Sequence, residues 1–478
     1  MTGYKLSPDG TRLVYALQEP TDQVVVRLVS VPALGGSAKT LINIPLDSDA
    51  FNQRSIADFA ISGDSASVVF LSDKDAAGQG TNDLFRVAID GSGSAIKLNT
   101  APAPSDISDF GISDDSARVV FETLTNVFYS VATGGGTPVS LGGITGSFLP
   151  RYRIAPDSTR VVFPFDDGSG GGVQIYSIPI AGGPAVKLSN QTGVSLTTVT
   201  FTPDGMNVLY LANTQQEIWV TPVASSAPLR LVGPTALYGP DLRMTPDGKN
   251  AIFVAGSYPN MTLNRVAVDG GSPVRQLSNV GDGIAASEFQ MSADGQHFVY
   301  RLAKSRFRLF AVTFAGQDAV ELTLSVLTGI GAYNGYRIDP TSHFAVYSAE
   351  AATPGVVELF SASLAAGNPT KLTKDPMPAF ADVQPGDVTI SPDGASVAYV
   401  ADQDTDEVQE LYSTAIAGGP PTKLHPDLAP DKDVGSTVPL FTNDSTSSIS
   451  PTRRRSACSR SSSPTTTSWR RDRRRRRP

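Results

Sequence analysis

The 478-residue sequence predicts an all-β fold: a β-propeller of about nine four-stranded blades. Three observations predict it. A four-residue turn anchor recurs nine times, as Ser7-Pro8-Asp9-Gly10, Ser62-Gly63-Asp64-Ser65, Ser113-Asp114-Asp115-Ser116, Ala155-Pro156-Asp157-Ser158, Thr202-Pro203-Asp204-Gly205, Thr245-Pro246-Asp247-Gly248, Ser292-Ala293-Asp294-Gly295, Asp339-Pro340-Thr341-Ser342 and Ser391-Pro392-Asp393-Gly394. Successive anchors lie 55, 51, 42, 47, 43, 47, 47 and 52 residues apart, a period that belongs to radial or stacked repeats. Six positions after the third anchor residue stands an aromatic every time: Tyr15, Phe70, Phe121, Phe163, Tyr210, Phe253, Tyr300, Tyr347 and Tyr399.

The elements of one unit follow in order. A short apolar stretch such as Asp58-Phe59-Ala60-Ile61-Ser62 runs into the anchor and reads as a first strand. The anchor turns the chain, because Pro sets φ near −65° and Asp and Gly tolerate the tight return. A β-branched and aromatic run follows as the second strand, for example Ser67-Val68-Val69-Phe70-Leu71. After a polar loop of variable length, an alternating run such as Leu84-Phe85-Arg86-Val87-Ala88-Ile89 makes the third strand. A Gly-rich turn leads to a short fourth strand ending Lys-Leu, as at Lys97-Leu98, Lys187-Leu188, Lys371-Leu372 and Lys423-Leu424. No long window carries a helical stripe.

One sheet cannot bury both faces alone, so each unit must lean on its neighbours. The recurrent second-strand aromatic is expected between blades. A second aromatic column in the third strand (Phe85, Tyr129, Tyr176, Trp219, Phe310, Phe360 and Tyr412, with Asn264 as the exception) is expected to pack with it. Nine blades exceed the usual four to eight. A single ring is favoured because no linker interrupts the period; the alternative is a seven- or eight-bladed ring with leftover repeats.

Charge divides the chain. Residues 453–478 hold 11 Arg and one Asp; taking them from the 38 basic and 46 acidic residues leaves 27 against 45, a net of −18. Such a body repels phosphate backbones, so no nucleic-acid partner is expected. The only cysteine, Cys458, excludes an intramolecular disulfide and a cysteine zinc site. No apolar run is long enough for a membrane-spanning helix. The propeller is assigned to residues 1–445. A tenth unit begins at Pro439–Asp444, but the strand that should follow is replaced by an Arg/Ser/Thr/Pro-rich tail, residues 446–478. Asp codons read out of phase give Arg and Thr, so the tail is read as out of frame and without packed structure; the rival reading is a basic binding or address segment. The opening at Tyr4-Lys5-Leu6, inside a strand, leads us to expect further chain upstream.

With the repeat written out, the chain resembles the TolB-like (WD40-related) β-propeller family. The resemblance rests on the Ser/Thr-Pro-Asp-Gly turn and on stretches such as Ile175-Tyr176-Ser177-Ile178-Pro179-Ile180-Ala181-Gly182-Gly183 closing in Lys187-Leu188-Ser189. It departs in the loop after the second strand, where the family often has Ser-Asp-Arg and this chain has Ser72-Asp73-Lys74 or Asp402-Gln403-Asp404. The resemblance implies a module for protein or peptide contact in the bacterial cell envelope; the chain is expected to be a non-enzymatic monomer, periplasmic or extracellular. It also implies an alternative, the propeller portion of a prolyl-oligopeptidase-like peptidase whose hydrolase domain is missing.

The residues speak against a hydrolase in the chain itself. No Gly-x-Ser-x-Gly occurs, and His297, His343 and His425 have no paired nucleophile in the repeat. The best metal candidate is Asp402, Asp404 and Asp406, alternating carboxylates of a kind that converge on Ca²⁺, in a loop lacking the Gly and Glu of an EF-hand. A calcium-stabilised, carbohydrate-binding propeller is therefore a third reading. The expected contact surface is the loop face carrying segments 72–83, 166–172 and 402–410.

Overall fold

The computed structural model describes the blade strands and turns from residue 4 to residue 454; outside the description lie 20–24, 46–55, 74–81, 143–146, 195–198, 279–283, 303–307, 324–334, 427–431, 435–439, 442–447, 455–478 and gaps of one to three residues elsewhere. Among the described residues there is no helix, and nine antiparallel blade sheets, eight of four strands and one of five, follow one another along the chain, with two two-stranded pairs beyond them. Blade 2 is typical: Ile56–Ile61, Ser67–Ser72, Asp83–Ala88 and Ile96–Lys97 pair in chain order. Blade 1 opens at Tyr4–Leu6, and blade 9 closes at Thr422–Lys423. In blade 4 the first strand comes in two pieces, Ser147–Phe148 and Arg153–Ile154, both paired with Arg160–Asp166. Of the tail, residues 448–449 and 452–454 are described, paired with Leu440–Phe441 and Lys432–Val434; the rest lies outside the described residues.

The buried apolar residues fall into clusters that sit between blades, as the repeat argument requires. Val14, Ala16, Val26 and Leu28 of blade 1 pack with Ile56, Phe59, Val68 and Phe70 of blade 2. The same exchange is made at every following step, ending with Leu359 and Leu372 of blade 8 against Val397 and Tyr399 of blade 9. Strand alternation makes this possible, since Val68 and Phe70 face one neighbour while Val69 and Leu71 face the other.

Both aromatic columns land where expected. Phe70 lies directly opposite Phe85, Phe121 opposite Tyr129, Phe163 opposite Tyr176 and Tyr399 opposite Tyr412, with their rings stacked. Eight of the nine second-strand aromatics are buried. Tyr15 is half-buried: Val14 and Ala16 point into the blade 1–2 cluster, which turns Tyr15 to the opposite face. At three of the column's Tyr positions, Tyr210, Tyr347 and Tyr399, the hydroxyl donates to an acceptor. Tyr347 donates to the carbonyl of Leu322 and Tyr399 to that of Leu372, both at the Lys-Leu position of the preceding blade or its equivalent. Asn264, the exception opposite Phe253, donates to the Thr262 carbonyl at 2.8 Å.

Candidate functional site

Antiparallel order gives the blades two ends. One collects the nine anchors and the third-to-fourth turns; the other collects the second-to-third loops and the connections between blades. The anchor end is built from repeated hydrogen bonds. In blades 1, 2, 3, 5, 6, 7 and 9 the first anchor residue donates its hydroxyl to the anchor Asp, at 2.5 to 2.6 Å. The same hydroxyl accepts the amide that begins the second strand, as Ser62 does from Ser67 and Thr245 from Asn250. These donated bonds hold the carboxyls of Asp64, Asp115, Asp204 and Asp247 below the ordinary carboxylate range. Blade 8 inverts the device: Asp339 stands first and its own carboxylate accepts from His343 and Phe344.

The fourth anchor residue is left-handed in every blade, and in blades 2 to 9 it touches the preceding turn. Where it is Ser, its hydroxyl accepts the amide of the preceding blade's anchor: Asp9 to Ser65, Asp64 to Ser116, Asp115 to Ser158 and Asp294 to Ser342. Where it is Gly, there is no room for more: a Cβ on Gly205 would lie 2.8 Å from the amide nitrogen of Asp157. The turns thus form a hydrogen-bonded and close-packed series from blade to blade.

Between the anchor and the third-to-fourth turn lies a crevice that an arginine fills in blades 1 to 4 and again in blade 6, where Arg265 donates Nη1 to Asn250 at 3.4 Å. Arg12 donates Nε to Ser30, Arg118 to Ser130 and Arg160 to Ser177; in blade 2 the pair is reversed, Arg86 to Ser67. Carboxylates flank these guanidinium groups: Arg86 lies beside Asp64, and Arg12 beside Asp90 of the next blade. In blade 5 the two arginine-pair positions hold Asn207 and Val220, and there a groove of about 660 Å³ opens between blades 5 and 6.

At the loop end, two of the residues expected to hold calcium, Asp402 and Asp404, have other partners. Asp402 is buried and accepts the Asp382 amide through Oδ1 at 2.5 Å. Asp404 lies 2.9 Å from Lys374 Nζ and 3.6 Å from Lys423 Nζ. Burial pulls its carboxyl up, but the two lysines and the Tyr412 hydroxyl prevail and hold it low. Glu410 pairs with Lys423 and accepts from Tyr412. Asp406 lies outside the described residues, and among the described residues no three His, Cys, Asp or Glu side chains are grouped to hold a metal. Of the expected contact segments, 72–73, 82–83, 166, 168, 170, 172, 402–405 and 408–410 are described, and all belong to this end.

The histidines take structural positions. His297 opens a second strand. His343 closes the blade 8 anchor turn, just before the strand that begins at Phe344, with Nδ1 2.9 Å from Thr341 Oγ1. His425 Nε2 accepts the Leu411 amide, the place taken by Asn99, Ser189 and Ser278 in other blades. The arginine-filled crevices and the groove were not anticipated. The signal was present, since the position three after the anchor Asp reads Arg12, Ser67, Arg118, Arg160 and then Asn207.

Neither a family model nor a curated protein matches the chain. Among solved structures it is similar to a eukaryotic initiation factor (11% identity, 77% of this chain and 87% of that one, TM-score 0.50). It is similar to dipeptidyl peptidase 4 from Porphyromonas gingivalis (13% identity, 83% of this chain and 64% of that one, TM-score 0.50). A TolB from Agrobacterium tumefaciens aligns over 48% of this chain and 84% of its own length at 18% identity, with a TM-score of 0.30 too low to distinguish one propeller family from another. What the chain shares with these proteins is the propeller-type repeat fold.

Proposed function

We propose that the chain is a non-enzymatic propeller scaffold for protein or peptide partners, working in the bacterial cell envelope. The observation that carries this reading is the contrast between the ends. Every anchor spans five residues between its strands, whereas the second-to-third loops run from four residues (124–127) to ten (73–82). Rigid strands presenting loops of differing length are the arrangement in which binding residues concentrate. Peptides selected from a displayed library on the whole chain test it. Replacing the longest of these loops, 73–82, by a Gly/Ser stretch is expected to weaken the selected peptides at least tenfold. Selection of no peptide above background would end the reading.

The similarity to dipeptidyl peptidase 4, of whose length the chain spans 64%, favours a second reading, the propeller portion of a peptidase. Flanking DNA read in all frames distinguishes the two. A Gly-x-Ser-x-Gly followed by Asp and His would establish the second reading.

A further inference from the structure

The groove between blades 5 and 6 keeps the surroundings of an arginine without the arginine. Asp204 stands to this groove as Asp157 stands to Arg160, three residues before the second strand's first position. Asp269 begins the third-to-fourth turn of blade 6, two residues after that blade's third strand, as Asp90 does in blade 2. Asp90 feels the charge of Arg12 from the preceding blade, and Asp269 faces blade 5 across the same step. Both carboxylates therefore line the groove in positions that elsewhere flank a guanidinium.

Their free oxygens point to what is missing. Asp204 accepts from Thr202 and Met206 through Oδ1 only, and Asp269 from Gly271 through Oδ1 only. Among the described residues neither Oδ2 has a partner, and the Asn207 side-chain amide has none. Leu229, 45% exposed, and Val220 supply an apolar surface for a side-chain stem, while the Asn250 carboxamide is engaged by Arg265 of its own blade. Lys249 also lines the groove, but it lies beside a third carboxylate, Asp247, whose charge it helps to keep.

We propose that this groove receives an arginine side chain presented by a protein or peptide partner, which takes the place of the chain's own arginines in blades 1 to 4 and 6. The proposal rests on the scaffold reading and names the partner's chemistry. A planar fork of five donors fits two carboxylates and an amide at the mouth of the groove better than a lysine ammonium does. The volume, about 660 Å³, leaves room for backbone on either side of the anchoring residue. Arginine anchors of this kind commonly dominate an interface.

The test uses the full chain and a fluorescein-labelled nonapeptide of Gly and Ser with one central Arg, alongside the same peptide carrying citrulline, which keeps the shape and loses the charge. The arginine peptide is expected to bind at least tenfold tighter than the citrulline peptide. Asn207→Arg combined with Val220→Ser rebuilds the internal pair. It is expected to abolish that binding while raising the melting midpoint. Asp269→Asn, on an exposed turn, is expected to weaken binding severalfold with the midpoint unchanged, and serves if the double substitution misfolds. Equal binding of the two peptides, or undiminished binding after Asp269→Asn, overturns the proposal. A chain that selects library peptides at its loop end but ignores the arginine peptide loses this proposal alone; one that selects nothing loses the scaffold reading as well.

Discussion

The two ends of the blades are made from the same strands and spend their polar residues in opposite ways. At the anchor end, hydroxyl, carboxylate and amide are matched within five residues, and the turn's last residue is fitted to the blade before. At the loop end, polar side chains are matched across longer distances. Asp404 reaches Lys374 thirty residues away in sequence, and Tyr210 reaches Gln191 in the preceding blade's connection. Local matching repeats because each anchor carries its own partners; distant matching differs from blade to blade because it depends on two segments at once. That difference makes one end a frame and leaves the other to vary from blade to blade.

Glycines break the comparison most sharply. Gly205 at the anchor end and Gly170 at the loop end are both left-handed, with φ of 72° and 81°. A Cβ on Gly205 meets the Asp157 backbone, while one on Gly170 meets nothing within 4 Å. Gly170→Ala should cost about 1 kcal/mol, the price of the conformation alone. Gly205→Ala should cost about 2 kcal/mol or more, because blade 4 must also shift. Urea midpoints of the two variants give the ranking, and equal losses would mean that the anchors are not in contact.

Acid should loosen the anchor end. The folded carboxyls of Asp64, Asp115, Asp204 and Asp247 lie below their unfolded values because Ser or Thr hydroxyls donate to them. Groups depressed in this way stabilise the fold above the unfolded pKa of about 4, and that contribution is lost as the pH falls through the folded values. Stability should therefore decline from about pH 4 downward. Hydrogen exchange should show second-strand amides such as Asn207 and Asn250 opening first. Thr202→Val removes the donor to Asp204 and should flatten the decline at that blade alone.

Much of this frame was legible in the sequence, because its determinants are local. The anchor spacing, the aromatics six residues on and the Lys-Leu close each depend on neighbours within one unit, so the repeat displays them. The facing of Phe70 on Phe85 or Tyr399 on Tyr412 follows from strand alternation once the turn is placed. Function at the loop end was harder to read. Asp402, Asp404 and Asp406 look like converging ligands when only their spacing is considered. The partners that occupy Asp402 and Asp404, the Asp382 amide and two lysines, come from residues 374, 382 and 423. The groove escaped for the opposite reason. It is marked by an absence, Asn207 and Val220 where an arginine and a serine pair elsewhere, and an absence shows only when the blades are laid over one another.

The hydrogen bonds between anchors give a finer test. Ser116 holds the Asp64 amide while sitting at a φ of 61°. Ser116→Ala keeps the strained backbone and loses the bond, at about 1 kcal/mol. Ser116→Gly loses the bond and relieves the backbone, so the two terms offset and the midpoint should hardly move. A Gly variant as damaged as the Ala variant would show that the bond alone matters at this turn.

The smallest effect belongs to the loop-end ion pairs. Asp404→Asn breaks contacts with Lys374 and Lys423, but Asp404 and Lys374 are both accessible to water and Lys423 keeps Glu410. The loss should be under about 1 kcal/mol and should fade as salt is raised. The same variant decides the calcium question. With Asp404 already between two ammonium groups, Ca²⁺ must displace both lysines to use it, so the wild-type midpoint is expected to match in Ca²⁺ and in chelator. A rise with Ca²⁺ that Asp404→Asn abolishes would make Asp404 a ligand and turn the lysines into its resting partners, because an ion held only by the folded chain must raise the midpoint.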